Sequence, residues 1–155
     1  MLPKEELKKR RTDFWSLLDS EMTSIRGVHG NKISWLSYKS CVKELYIRME
    51  FDGKGCRLCL DLQHKDTSIR ALFFEQFLEL KTVMQGSFSN SLTFLDEHKI
   101  EASGIFCARV MSEDAQINFF RDEDIPQAIQ FLKTQLISLD EFWTEFKDVF
   151  IGLQK

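Results

Sequence analysis

The sequence predicts an α+β fold: an antiparallel sheet of four or five strands built from two hairpins, covered by N-terminal, central and C-terminal helices. Residues 45–62 alternate apolar and polar side chains on either side of Asp52-Gly53-Lys54-Gly55, a strong turn signal. Residues 3–25, 66–85 and 123–152 instead carry apolar residues at helical spacing. Hairpins dictate antiparallel pairing, and the helices must bury their apolar stripes on the sheet.

The first helix is expected over residues 3–25, with Leu7, Phe14, Leu18 and Ile25 on one stripe and Trp15 and Met22 widening it. Pro3 suits its first turn, and Gly27 with Gly30-Asn31 breaks it. Ile33 to Tyr38 reads as a short extended or irregular segment. In the hairpin, Leu45, Ile47, Met49 and Phe51 form one face with Cys56, Leu58, Leu60 and Leu62. A four-residue turn then sets Phe51 opposite Cys56, Glu50 opposite Arg57, Arg48 opposite Cys59 and Tyr46 opposite Asp61.

The second helix is expected as one piece over 66–85, capped by Asp66 or Thr67 and ended by Gly86. Its stripe is Ile69, Leu72, Phe73, Phe77, Leu80, Val83 and Met84, with Phe74 and Leu78 outside it. Two strands follow near Leu92–Glu97 and Ile100–Met111, and Ile117–Phe120 is a candidate fifth. The C-terminal helical region starts with Pro126 in its first turn behind Asp122 or Asp124 as cap. Its length predicts a bend or break near Ser138, with Asp140 starting a new turn.

At 155 residues the chain has the size of one domain, expected over 1–155, with a real core and no need for disulfides. Fourteen Phe imply a heavily aromatic interior. A net charge of −3 argues against a surface that grips a polyanion all over. The charge is uneven: Lys4, Lys8, Lys9, Arg10 and Arg11 lie near the start, and seven acids lie in 122–148. Both runs read as solvated helix faces. No transmembrane stretch and no signal peptide are evident, and four Cys are most simply reduced thiols. The expectation is a soluble cytoplasmic protein without membrane contact.

Few residues suggest chemistry. Cys56-Arg57-Leu58-Cys59 matches C-x-x-C, but on a strand its two sulfurs point to opposite faces. The histidines show no metal-ligand spacing, so neither a metal nor a cofactor is expected. The polar side of the hairpin is a candidate surface containing Tyr46, Arg48, Asp61 and His64, although cross-strand charge pairing accounts for much of it. Trp35, Tyr38 and Lys39 form a second polar-aromatic segment. The order of elements invites comparison with restriction-type nucleases, which hold Mg²⁺ with an acid on one strand and acid-x-Lys on the next. Asp61-Leu62-Gln63 would be that motif, with Gln in place of Lys. Its partner would be Glu50 or Asp52, and Glu50 is expected roughly 14 Å from Asp61, too far to share a metal.

Several stretches resemble an uncharacterised bacterial family of small proteins, classed as a domain of unknown function. They are Phe14-Trp15, Trp35 to Lys39, Leu45 to Met49, Leu72 to Lys81 and Leu139 to Trp143. Domains similar to these also occur behind nuclease-like or restriction-associated domains. The resemblance therefore implies an accessory role in DNA processing or defence, and it supplies no catalytic residues. The readings that follow are a non-enzymatic interaction or accessory domain, a divergent metal-dependent nuclease, or a small-ligand sensor. The partner would be a protein or a nucleic-acid-processing assembly, and a homodimer is compatible with the sequence.

Overall fold

In the computed structural model, which describes residues 2–154, the alternation in 45–62 folds as a hairpin of β1 (Leu45–Asp52) and β2 (Gly55–Leu62). The register is the predicted one, with Phe51 opposite Cys56, Glu50 opposite Arg57, Arg48 opposite Cys59 and Tyr46 opposite Asp61. Gly55 is required at the turn. Its φ is 147°, and a Cβ there would lie 2.8 Å from the Asp114 carbonyl oxygen of the neighbouring strand.

The second hairpin comprises β3 (Leu92–Lys99) and β4 (Phe106–Asp114). The sheet is antiparallel throughout, in the order β1-β2-β4-β3. β4 begins later than the alternation of 100–111 suggested. Residues 100–105 form a turn, closed by Ile100 and Ile105 through an N–H···O bond of 2.8 Å and by Gly104 at φ 75°. The candidate strand Ile117–Phe120 is absent. Ile117 and Phe119 are buried there as loop anchors, and the Phe119 N–H donates to Asp52 O at 3.1 Å, at the end of β1.

The helices are α1 (Lys4–Met22), α2 (Thr67–Glu79), α3 (Lys81–Ser87) and α4 (Ile125–Leu153), with a 3-10 turn at Trp35–Ser37. The central helix breaks at Leu80, whose ψ of 7° is not helical, and Gly86 lies inside α3. Its core face is Phe73, Phe74, Phe77 and Met84, whereas Ile69, Leu72 and Val83 are exposed. The large rings claim the inward positions, because burying a Phe stabilises by roughly 1.5–3 kcal/mol. The C-terminal helix does not break near Ser138 and runs for 29 residues. Asp140 starts no new turn; its carboxylate reaches sideways to Tyr38 and Val28. Asp124 precedes α4, but its side chain accepts from the Asn118 N–H at 2.8 Å and caps no helical N–H. Asp66 does cap α2, accepting from Ser68 and Ile69 N–H.

All four helices lie on one face of the sheet. That face contributes Leu45, Phe51, Cys56, Leu58, Leu60, Leu62, Ala108 and Val110 to the core. From the helices come Phe14, Leu18 and Met22 of α1, the α2 phenylalanines, and Leu132, Leu136, Phe142, Trp143 and Phe150 of α4. Aromatic rings meet directly at its centre, with Phe77 4.3 Å from Phe150 and Trp143 5.2 Å from Phe150. The opposite face of the sheet carries the charged half of the alternation and, among the described residues, no helix. Among the described residues no helix is long and apolar enough to cross a membrane.

Candidate functional site

The uncovered face of the sheet is built from the polar positions of four strands. Asp61 of β2 faces Arg109 of β4, and Glu50 of β1 faces Arg57 of β2. Arg109 is the hub. Its Nε donates to Asp61 Oδ1 at 2.7 Å and its Nη2 to Asp61 Oδ2 at 2.9 Å, a two-pronged contact. Its Nη1 and Nη2 also donate to the two oxygens of Glu50, at 3.1 and 3.3 Å. Arg57 donates to Glu50 at 2.8 Å, to Asp52 at 2.5 Å and to Glu113 at 3.3 Å. Arg48 closes the chain on Asp61 at 2.9 Å and lies over the Tyr46 ring, 5.1 Å from its centroid.

This corrects the expected separation of Glu50 and Asp61. Their carboxylates share one guanidinium, because the long Arg109 side chain reaches diagonally across β2. Distance is therefore not what keeps a metal away; the position between the two acids is filled by a cation of the protein. Among the described residues, no group of three or more His, Cys, Asp or Glu side chains is placed to hold a metal ion.

Asp61 is fully buried and Arg109 is 2% exposed, although they lie on the face without helices. Neighbouring side chains provide part of the cover, and the β3–β4 turn provides the rest. A register shift between Leu95 and His98 bends β3. The turn beyond it folds over the charged face, and Glu101 comes within 3.7 Å of Lys54 at the β1–β2 turn. The result is a basin of about 970 Å³, walled by Glu50, Arg57, Arg109 and Glu113 on one side and His98, Lys99 and Glu101 on the other.

The burial and the pairing pull on protonation in opposite directions. Burial alone would push the Glu50 carboxyl up, but hydrogen bonds from Arg57 and Arg109 hold it below its ordinary value. Burial disfavours the charge on Arg57 and Arg109, and the surrounding carboxylates more than restore it. Burial raises the Cys56 thiol to about 12 and that of Cys59 well above its usual range. Both C-x-x-C thiols are fully buried, which keeps them in the protonated form, and they sit on opposite faces as the strand requires.

The other predicted site residues fall elsewhere. Trp35 is core, its indole N–H donating to Ile25 O at 2.9 Å. Tyr38 and Lys39 line a separate cleft of about 350 Å³ between the 29–39 segment and α4. At its floor the buried Asp140 carboxylate accepts from the Tyr38 hydroxyl at 2.6 Å and the Val28 N–H at 2.9 Å. Burial, then this acid, raises the Tyr38 phenol above its ordinary range, so Tyr38 remains a donor. His64 packs on Phe73 with centroids 4.6 Å apart, and its Nδ1 is buried without a partner, like Oε1 of Gln63 beside it. The seven candidates therefore form no single surface. Tyr46, Arg48 and Asp61 share the charged face; Tyr38 and Lys39 share a cleft; Trp35 and His64 pack elsewhere.

The model of the family described as Domain of unknown function (DUF4268) matches residues 10–147, most of the chain. The chain belongs to that family. No curated protein and no solved structure matches it.

Removing one partner of the buried pair leaves the other charge unpaired, which costs about 3–5 kcal/mol. Arg109→Met should lower the unfolding free energy by that amount in urea denaturation, and adding Asp61→Leu should recover part of it. Acid should destabilise the fold in two stages. His64 is held below its ordinary 6.5, by burial foremost, so its unfolded form takes up a proton first. Stability is then lost as pH falls from about 6.5 through the folded value. Glu50, held below 4.5, contributes stability above that value and loses it as pH falls further. Calorimetry across pH 7 to 3 should show both stages, with Glu50→Gln reducing the second.

Proposed function

We propose that the chain acts by binding and not by hydrolysis, as an interaction or accessory module of a larger assembly. One observation carries this reading. The acids that a restriction-type nuclease would use are occupied by the protein's own arginines, Asp61 by Arg109 and Arg48, and Glu50 by Arg109 and Arg57. A metal would have to displace a bidentate guanidinium from a fully buried carboxylate, and Gln63 stands where such enzymes carry the water-orienting lysine. The network instead rigidifies a face that a partner can be held against.

The test is incubation of purified protein with single- and double-stranded DNA and RNA in Mg²⁺ or Mn²⁺. Wild type should leave all four substrates intact. Metal-dependent cleavage that disappears in a folded Asp61→Asn variant would refute the reading.

A further inference from the structure

We propose that the exposed face of α1, continued across the mouth of the charged basin, binds single-stranded nucleic acid. The proposal deepens the binding-module reading and rests on it. Lys4, Lys8, Arg11 and Trp15 follow one another at i, i+4, i+7 and i+11 of α1, inside a sector of about 60° at 3.6 residues per turn. They line one shallow trough with Leu7, Thr12 and Ser16.

Lys4 and Lys8 are uncommitted, and Arg11 lies 6.0 Å from the centroid of the Phe119 ring without holding a carboxylate. Lys9 is paired with Asp13 at 2.8 Å and Arg10 with Asp122 at 2.7 Å, on other sides of the helix. Among the described residues, Lys4, Lys8 and Arg11 have no ion pair within 4.0 Å. Glu6 lies on a different face, sharing a hollow with Lys9, Arg10 and Asp13. The stripe does not stop at the helix. Arg11 also lines the basin, where Lys99 carries no ion pair among the described residues, Lys54 is paired with Glu101 at 3.7 Å, and Glu50, Asp52 and Glu113 are held by Arg57 and Arg109. The cations left open are therefore Lys4, Lys8, Arg11 and Lys99, in a chain whose net charge is −3.

An aromatic ring accompanies the charges. Trp15 is only half-buried, while Trp35 and Trp143 are 3% and 1% exposed. Phe106 and Phe120 are also exposed, 48% and 52%, outside the lining of the trough and the basin. Phosphates need cations and unpaired bases need flat rings, and Trp15 sets a ring in line with the cations of α1. An anionic membrane fits less well, because the apolar stripe of α1, Phe14, Leu18 and Met22, is already buried in the core. The acidic α4 of a second copy would meet the cations but leave the Trp15 ring unused.

Fluorescence anisotropy with labelled oligo(dT) and oligo(U) tests this in the intact chain. Binding should weaken about twentyfold between roughly 50 and 200 mM salt, the slope for three phosphate contacts to a single strand. The variant Lys4→Glu/Lys8→Glu/Arg11→Glu should lose more than about tenfold. Lys9→Glu/Lys43→Glu/Lys65→Glu changes net charge equally off the track and should bind nearly as wild type. Tryptophan emission should be quenched by the oligonucleotide, and Trp15→Phe should abolish the quench because the other two indoles are buried. No binding at low salt, equal loss in both triple variants, or binding to anionic vesicles alone would overturn the proposal. So would a dimer in sedimentation that the first triple variant dissolves. An intact substrate in the cleavage assay with no oligonucleotide binding would defeat this proposal and leave the binding-module reading standing.

Discussion

The guanidinium of Arg109 is the constraint on which the polar half of this fold depends. A four-stranded antiparallel sheet with helices on one face normally leaves the other face to water. Here that face carries Asp61 and Glu50 beneath a folded-over turn, so both acids need a partner inside the protein. Arg109 serves both, and Arg57 and Arg48 extend the pairing to Asp52, Glu113 and back to Asp61. A buried ion network of this kind adds little net stability compared with apolar packing, yet breaking it is costly. Its effect is to tie the register of β1, β2 and β4 together.

The apolar half was legible from the residues because period-2 and period-3.6 patterns report directly on burial. The β1–β2 register followed from the turn length alone, and the helices fell where their stripes lay. The failures share a physical cause. Ser138 and Asp140 look like a helix break when only local hydrogen bonding is considered, but Asp140 is bound by Tyr38 and Val28, more than a hundred residues away in sequence. The alternation in 100–105 looked like strand, and the β3 bulge redirected it into a turn. Ile69 and Leu72 looked like core, and Phe73, Phe74 and Phe77 took the inward face.

The candidate site was half legible. Asp61, Arg48 and Tyr46 were singled out by alternation with an apolar face. Arg109 was missed, although a signal existed: a lone arginine among Cys107, Ala108 and Val110, in a strand that lies inside the sheet between β2 and β3. What the sequence could not convey was the length of that side chain set against the strand spacing, which brings Glu50 and Asp61 onto one cation. Trp35 and His64 joined the list because polar-aromatic residues at junctions resemble ligand groups; Trp35 lies in the core, and the half-buried His64 packs on Phe73. The track along α1 became visible only when the partners of Lys9 and Arg10 were separated from the uncommitted charges beside them.

The surface thus divides into an ionic face closed on itself and a helix face with open cations. The carboxylates of Asp61 and Glu50 are committed to Arg109, which leaves them unavailable to a divalent ion. Carbon-detected NMR of the side-chain carboxyls, with Mn²⁺ titrated in as a relaxation probe, addresses it most directly. Both resonances should stay sharp while the Arg109 Nε–H exchanges slowly with solvent. Broadening of Asp61 and Glu50 together at low Mn²⁺, with loss of the Nε–H signal, would contradict it.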